Sequence, residues 1–107
     1  MQFIKSPAFG QLFISTTNPG VTRGNHWHHT KVEKFLVVAG QASIRLRKID
    51  GDHSVEYMVS GDELRVVDIP VGYTHSITNI GDDELVTLFW ADEIFNPLAQ
   101  DTYSLEV

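Results

Sequence analysis

The chain has 107 residues, enough for one domain that buries roughly two-thirds of the surface its unfolded form exposes. Eight basic against 14 acidic residues give a net charge of −6, which excludes a protein built to neutralise a nucleic-acid backbone. Cysteine is absent, so disulfides and thiolate metal sites are excluded, and no run approaches ~18 apolar residues or has the character of a signal peptide. A soluble cytoplasmic protein with no membrane partner is expected.

In chain order, QLFISTT (11–17) is closed by NPG, and EKFLVVAG (33–40) leads into SIRLRKI (43–49), closed by DGD. SVEYMV (54–59) ends at SGD, and ELRVVDIP (63–70), HSITNI (75–80), LVTLFW (85–90) and DTYSLEV (101–107) follow. β-Branched and aromatic residues fill these segments, while Gly, Pro, Asn and Asp fill the gaps. None of them holds a helical period. The prediction is an all-β sandwich or barrel of antiparallel strands, one domain over 1–107, with a single helical turn in ADEIFNPLA (91–99).

Between NPG and EKF lies the densest chemistry. GVTRGNHWHHTKVEKFLVVAG, residues 20–40, places three of the five histidines within four positions. In a strand, residues two apart share a face, so His26 and His28 project together while Trp27 and His29 point the other way. Glu33 has the wrong parity for an unbroken strand, so the chain must turn around Thr30–Lys31 to bring it to the same place. In PVGYTHSITN, Pro70 and Gly72 supply a turn, and His75 opens a strand with Ile77 and Asn79 on its own side. His26, His28, Glu33 and His75 would then form a metal-ligating set. Three imidazoles and a carboxylate accept zinc, iron, nickel or manganese, selection depending on geometry and supply, and zinc is the ion expected.

Residues 20–40 match the spacing G-x5-H-x-H-x4-E-x6-G, and residues 70–79 match P-x-G-x2-H-x3-N. In both, the chain resembles the cupins, small RmlC-like jelly-roll β-barrels that hold one divalent metal inside. One departure is Leu64 where the second motif usually begins with glycine; Gly61 stands three residues earlier. PGVTRGNHWHHTKVEKFLVV, VVDIPVGYTH and DTYSLEV are more specifically similar to the C-terminal cupin domain of CapF-type bifunctional capsule-biosynthesis enzymes. In that family a reductase domain precedes the cupin, so the resemblance implies either a domain excised from such a longer chain or a cupin that stands alone. It also implies that the cupin epimerises C3 of a UDP-linked 4-keto-6-deoxy-N-acetylhexosamine on the route to UDP-N-acetyl-L-fucosamine. The chain has no G-x-G-x-x-G, so the hydride step is not expected of it.

Proton abstraction beside a ketone needs a base and a group that stabilises negative charge on the ketone oxygen, and a divalent metal supplies the second. Tyr73 and Lys34 are candidate proton-transfer groups, as is a motif histidine. Arg23, Lys31, Arg45 and Arg47 are the cations available to hold a nucleotide diphosphate, although the last two alternate with Ile44 and Leu46 as on a half-exposed strand. If Glu33, Phe35 and Val37 face the interior, Leu36 and Val38 form an outward apolar strip. An N-terminal strand or a second copy must cover it, so a homodimer is expected. Three rival readings keep the fold: a metal-free epimerase with a histidine base, an iron-dependent dioxygenase with the same ligands, and a non-catalytic sugar-binding cupin.

Overall fold

The computed structural model describes residues 2–6, 10–93 and 102–107, the first of these by backbone alone. Among the described residues ten strands run in chain order: β1 (Gln2–Ser6), β2 (Gly10–Thr17), β3 (Thr22–Trp27), β4 (Glu33–Ala39), β5 (Gln41–Lys48), β6 (Ser54–Ser60), β7 (Val66–Ile69), β8 (Tyr73–Asn79), β9 (Leu85–Ala91) and β10 (Tyr103–Ser104). They form two five-stranded antiparallel sheets, ordered β1-β2-β9-β4-β7 and β10-β3-β8-β5-β6. This is the all-β jelly roll expected from the sequence. Most of the turn expected in ADEIFNPLA falls on residues 94–99, outside the described residues.

The sheets close on one apolar core because the strands alternate. Along β9, Leu85, Thr87, Phe89 and Ala91 are buried while Val86, Leu88 and Trp90 are half-buried on the other side. Phe35 and Val37 of β4, Ile44 and Leu46 of β5, Val67 and Ile69 of β7, and Ile77 of β8 complete the interior. Each such side chain contributes about 1.5–3 kcal/mol when fully buried. Phe13, Phe35 and Phe89 form an aromatic wall, Phe13 stacked on Phe89 at 5.0 Å and Phe35 edge-on to Phe89 at 4.6 Å.

β8 breaks the alternation, being buried from Thr74 through Ile77. It lies between β3 and β5, and residues beyond β10 cross its outer side, where the Thr74 hydroxyl donates to the Leu105 carbonyl. A polar strand on both faces of a barrel wall needs such partners, since a buried hydroxyl left without one costs about 1–3 kcal/mol.

The turn between β6 and β7 explains the displaced motif glycine. Gly61 packs so closely on β4 that a Cβ would stand 2.6 Å from the Val38 carbonyl oxygen, and its N–H donates to Gly40 O at 3.0 Å. Glycine is required at that position, three residues before Leu64.

Candidate metal centre

The four expected ligands converge. One donor atom from each of His26, His28, Glu33 and His75 lies within 4.8 Å of the other three. His26 comes from β3, His28 from just beyond it, Glu33 from the start of β4 and His75 from β8. β3 and β8 approach closely here: at Gly24, with φ 104°, a Cβ would meet the His75 carbonyl oxygen at 2.7 Å. Only glycine permits that approach. The Pro70–Gly72 turn fixes the far side, the Gly72 N–H donating to His28 O at 2.9 Å. Residues 29–32 reverse the chain as the parity of Glu33 demands.

The donors are buried, with His28 at 3%, Glu33 at 6% and His75 at 1% exposure. Glu33 Oε1 lies 2.6 Å from His28 Nε2 and 3.4 Å from His75 Nε2. Close as they are, Glu33 Oε1 and His75 Nε2 are not aligned as hydrogen bonds with any partner. Buried polar atoms left this way in a native fold call for an explanation, and an ion between them provides one. The remaining ring nitrogens are held from behind, as metal-ligating imidazoles usually are: His75 Nδ1 lies 3.4 Å from Tyr73 O, and His28 Nδ1 lies 3.4 Å from Thr102 Oγ1.

Electrostatics favour neutral imidazoles beside an ionised carboxylate. Burial pushes the His75 pKa down from 6.5 to about 4, and the neighbouring His26 and His28 add to the effect against the pull of Glu33. His26 is lowered too, first by burial and then by His28. Burial works against the Glu33 charge, but His28, His75 and Lys31 outweigh it and hold the carboxyl below its ordinary range. Neutral imidazole and carboxylate are the forms that ligate a metal. The residues fit a divalent ion.

A cavity of about 160 Å³ opens on the ligands, lined by His26, Glu33 and His75 at one side and by Phe13, Phe35, Phe89 and Ile77 elsewhere. Arg23 also lines it, its guanidinium donating to Ser15 Oγ. The volume is well below the ~300–1,000 Å³ of pockets that enclose a whole drug-sized ligand, so it accommodates one ring rather than a complete nucleotide sugar.

The other expected site residues are dispersed. Lys31 sits half-buried between β3 and β4, near enough for its charge to act on His26 and Glu33. With Glu33 turned inward, Lys34 faces out, where it is paired with Asp68 of β7. It does not line the cavity. Arg45 and Arg47 lie away from the cavity, because Ile44 and Leu46 occupy the interior face of β5. Arg45 pairs across the strands with Glu56 and Ser76, and Arg47 donates to Gly51 O at 2.9 Å and Glu106 O at 2.7 Å. Tyr73 is half-buried against the core, outside the cavity lining. Trp27 and His29 do share the outer face, gathered with Tyr103 at 4.7–5.2 Å between ring centres. Sequence reasoning turned Phe35 inward but missed Phe13, Ser15 and Phe89, although alternation in QLFISTT and LVTLFW already places them on inward positions.

The model of the family described as "Polysaccharide biosynthesis C-terminal domain" matches residues 1–103. The chain belongs to that family. A relative of this polysaccharide-biosynthesis domain in Pseudomonas aeruginosa, UDP-2-acetamido-2,6-beta-L-arabino-hexul-4-ose reductase, is 40% identical over the whole chain, which spans 29% of that protein. The crystal structure of the capsular polysaccharide assembling protein CapF from Staphylococcus aureus superposes with a TM-score of 0.96 at 58% identity, over 97% of this chain and 30% of that one. The domain therefore spans about three tenths of either longer protein, and the likeness to the CapF type expected from the sequence stands. RmlC from Legionella pneumophila, a dTDP-6-deoxy-D-glucose-3,5-epimerase solved with dTDP-4-keto-L-rhamnose, matches with a TM-score of 0.76 over 90% of this chain and 53% of its own. At 23% identity that likeness is one of fold. No helix among the described residues is long and apolar enough to cross a membrane.

Proposed function

We propose that this domain epimerises C3 of a UDP-linked 4-keto-6-deoxy-N-acetylhexosamine during the synthesis of a surface-polysaccharide precursor, with a divalent metal, zinc in the first instance, on His26, His28, Glu33 and His75. The observation that carries the reading is a three-histidine, one-glutamate cluster, buried but for the half-buried His26, opening on a ring-sized apolar cavity. The names of the relatives, a UDP-sugar reductase and a capsule-assembling protein, indicate the pathway class.

A divalent ion in this cluster supplies a Lewis acid for the ketone oxygen next to C3. The protein's own residues do the rest. The aromatic wall excludes water from the ring and strengthens every charge interaction there. Arg23, fixed by Ser15, presents a positive group at the cavity, while Lys31, close enough for its charge to act on Glu33, is the second cation for the diphosphate. Of the expected proton-transfer groups, Lys34 faces away, leaving Tyr73 and the motif histidines; His26 lines the cavity. Hydride transfer is assigned to a separate reductase domain, as in the bifunctional enzymes the chain resembles.

In heavy water, the metal-loaded domain given such a keto sugar is expected to incorporate deuterium at C3 and to form no reduced sugar with NADPH. Oxygen uptake with that substrate, and no exchange, would replace this reading with the dioxygenase one; ligand binding with neither reaction would leave a sugar-binding cupin.

The second partner proposed is another copy of the chain. Ile14, Leu88, Leu36 and Val66 stand in register across four strands on the outer side of the β1-β2-β9-β4-β7 sheet. β1 extends the edge of that sheet by pairing with β2 and does not lie across its face. Light scattering should give twice the mass of one chain, and Leu36→Glu should halve it; a monomer before the substitution contradicts the proposal.

A further inference from the structure

β3 supplies His26 and leads directly into His28, yet it is irregular. Its register with β8 shifts between Gly24 and His26, and the residue at the irregularity is Asn25. Asn25 has φ 59°, the one positive φ outside glycine among the described residues. Asparagine tolerates the left-handed region better than most residues, but it persists there when the surroundings over-determine it. A bulge of this kind re-aims the side chains that follow it.

The surroundings of Asn25 are residues 102–107. The Leu105 N–H donates to the Asn25 carbonyl at 2.9 Å, and the Val107 N–H donates to Asn25 Oδ1 at 3.2 Å. β10 pairs with β3 alongside, Ser104 opposite His26 and Tyr103 opposite Trp27, whose rings stack at 4.8 Å. Thr102 Oγ1 reaches His28 Nδ1 at 3.4 Å. The same segment is anchored from the other side by Arg47 on the Glu106 carbonyl and by the Thr74 hydroxyl on Leu105.

We infer that residues 102–107 are a positioning strap for the metal centre: they hold Asn25 in its left-handed conformation and His28 by Nδ1, and so set the spacing of His26 and His28. The inference rests on the metal-centre reading above and extends it to residues that touch no substrate. Arg47 then acts through the strap, which accounts for a cation placed away from the cavity.

The test is the affinity of the whole chain for zinc, measured against a chelating indicator, with the visible spectrum of the cobalt-loaded protein as a report on ligand geometry. Thr102→Val removes the contact with His28 and should weaken zinc binding about tenfold, whereas Thr102→Ser should stay within about twofold of the parent. Asn25→Gly adopts the same φ without strain but loses the Oδ1 acceptor, so it should alter the cobalt spectrum without lowering the melting temperature of the metal-free chain. Deleting 102–107 should weaken binding further, and if the truncated chain does not fold the point variants decide. Parent affinity and the parent cobalt spectrum in both Thr102→Val and Asn25→Gly would overturn the strap alone. A parent that binds no zinc would overturn the metal centre itself.

Discussion

His75→Ala should abolish the thermal stabilisation that zinc confers. A ligand held only by the folded state stabilises by mass action, about 2.7 kcal/mol at a hundredfold excess over its dissociation constant. For a domain of this size that corresponds to a rise in melting temperature of about 10–20 °C. His75 is the most buried of the four ligands at 1% exposure, and its Nε2 stands 3.4 Å from the shared carboxylate oxygen. Alanine removes that donor and leaves space that water can enter. The remaining three ligands should bind on the order of 100-fold more weakly, a loss at least as great as that from removing a supporting residue. Scanning calorimetry with and without zinc reads the effect directly. A variant whose melting temperature still rises with zinc as the parent's does would show that His75 is not a ligand.

Acid should destabilise the metal-free chain well before ordinary carboxylates titrate. The His75 pKa is about 4 in the folded protein against 6.5 when unfolded. Between these values the unfolded chain takes up a proton that the folded chain refuses, so stability falls as the pH drops. The neutral His75 contributes nothing to this loss above 6.5, and by the lower end of the window the loss is roughly 3 kcal/mol. His26 acts with the same sign, its pKa being lowered too. Glu33, held below its ordinary range, adds a further loss as its carboxylate is protonated at lower pH. Bound metal should protect down to the pH at which protons displace it from the imidazoles. Urea melts of chelator-treated protein between about pH 7 and 4 check this. Equal midpoints across that window would mean that His75 takes up its proton as readily in the folded chain as in the unfolded one.

How much of this was legible in the sequence divides along physical lines. The ligand set was legible because side-chain parity is local: His26 and His28 two apart, and Glu33 reachable only after a reversal at 29–32. Alternation with Ile44 already put Arg45 on a half-exposed face, but Lys34 was kept as a candidate base although the inward parity of Glu33 turns its neighbour outward. Electrostatic need had kept Arg45 a candidate as well, since an acidic protein with a phosphorylated substrate has few cations to offer. What stayed hidden was long-range. In GNHWHH, Asn25 is a residue that tolerates a positive φ, but nothing local requires one, because the partners that hold it there are about 80 residues further on, in a pairing fixed by tertiary register. The cavity was hidden for the same reason, its wall being assembled from β2, β4 and β9.

The most direct measurement of the central claim is C3 proton exchange by one protein preparation in three states: as loaded with zinc, after removal of the metal, and after its return. The substrate is a UDP-linked 4-keto-6-deoxy-N-acetylhexosamine in heavy water, and mass spectrometry counts the deuterium at C3. The account predicts exchange in the loaded protein, its fall to the buffer rate on stripping, and recovery on reloading. Exchange that continues undiminished in the stripped, folded protein would contradict the metal-centred account and assign the chemistry to a histidine acting alone as base.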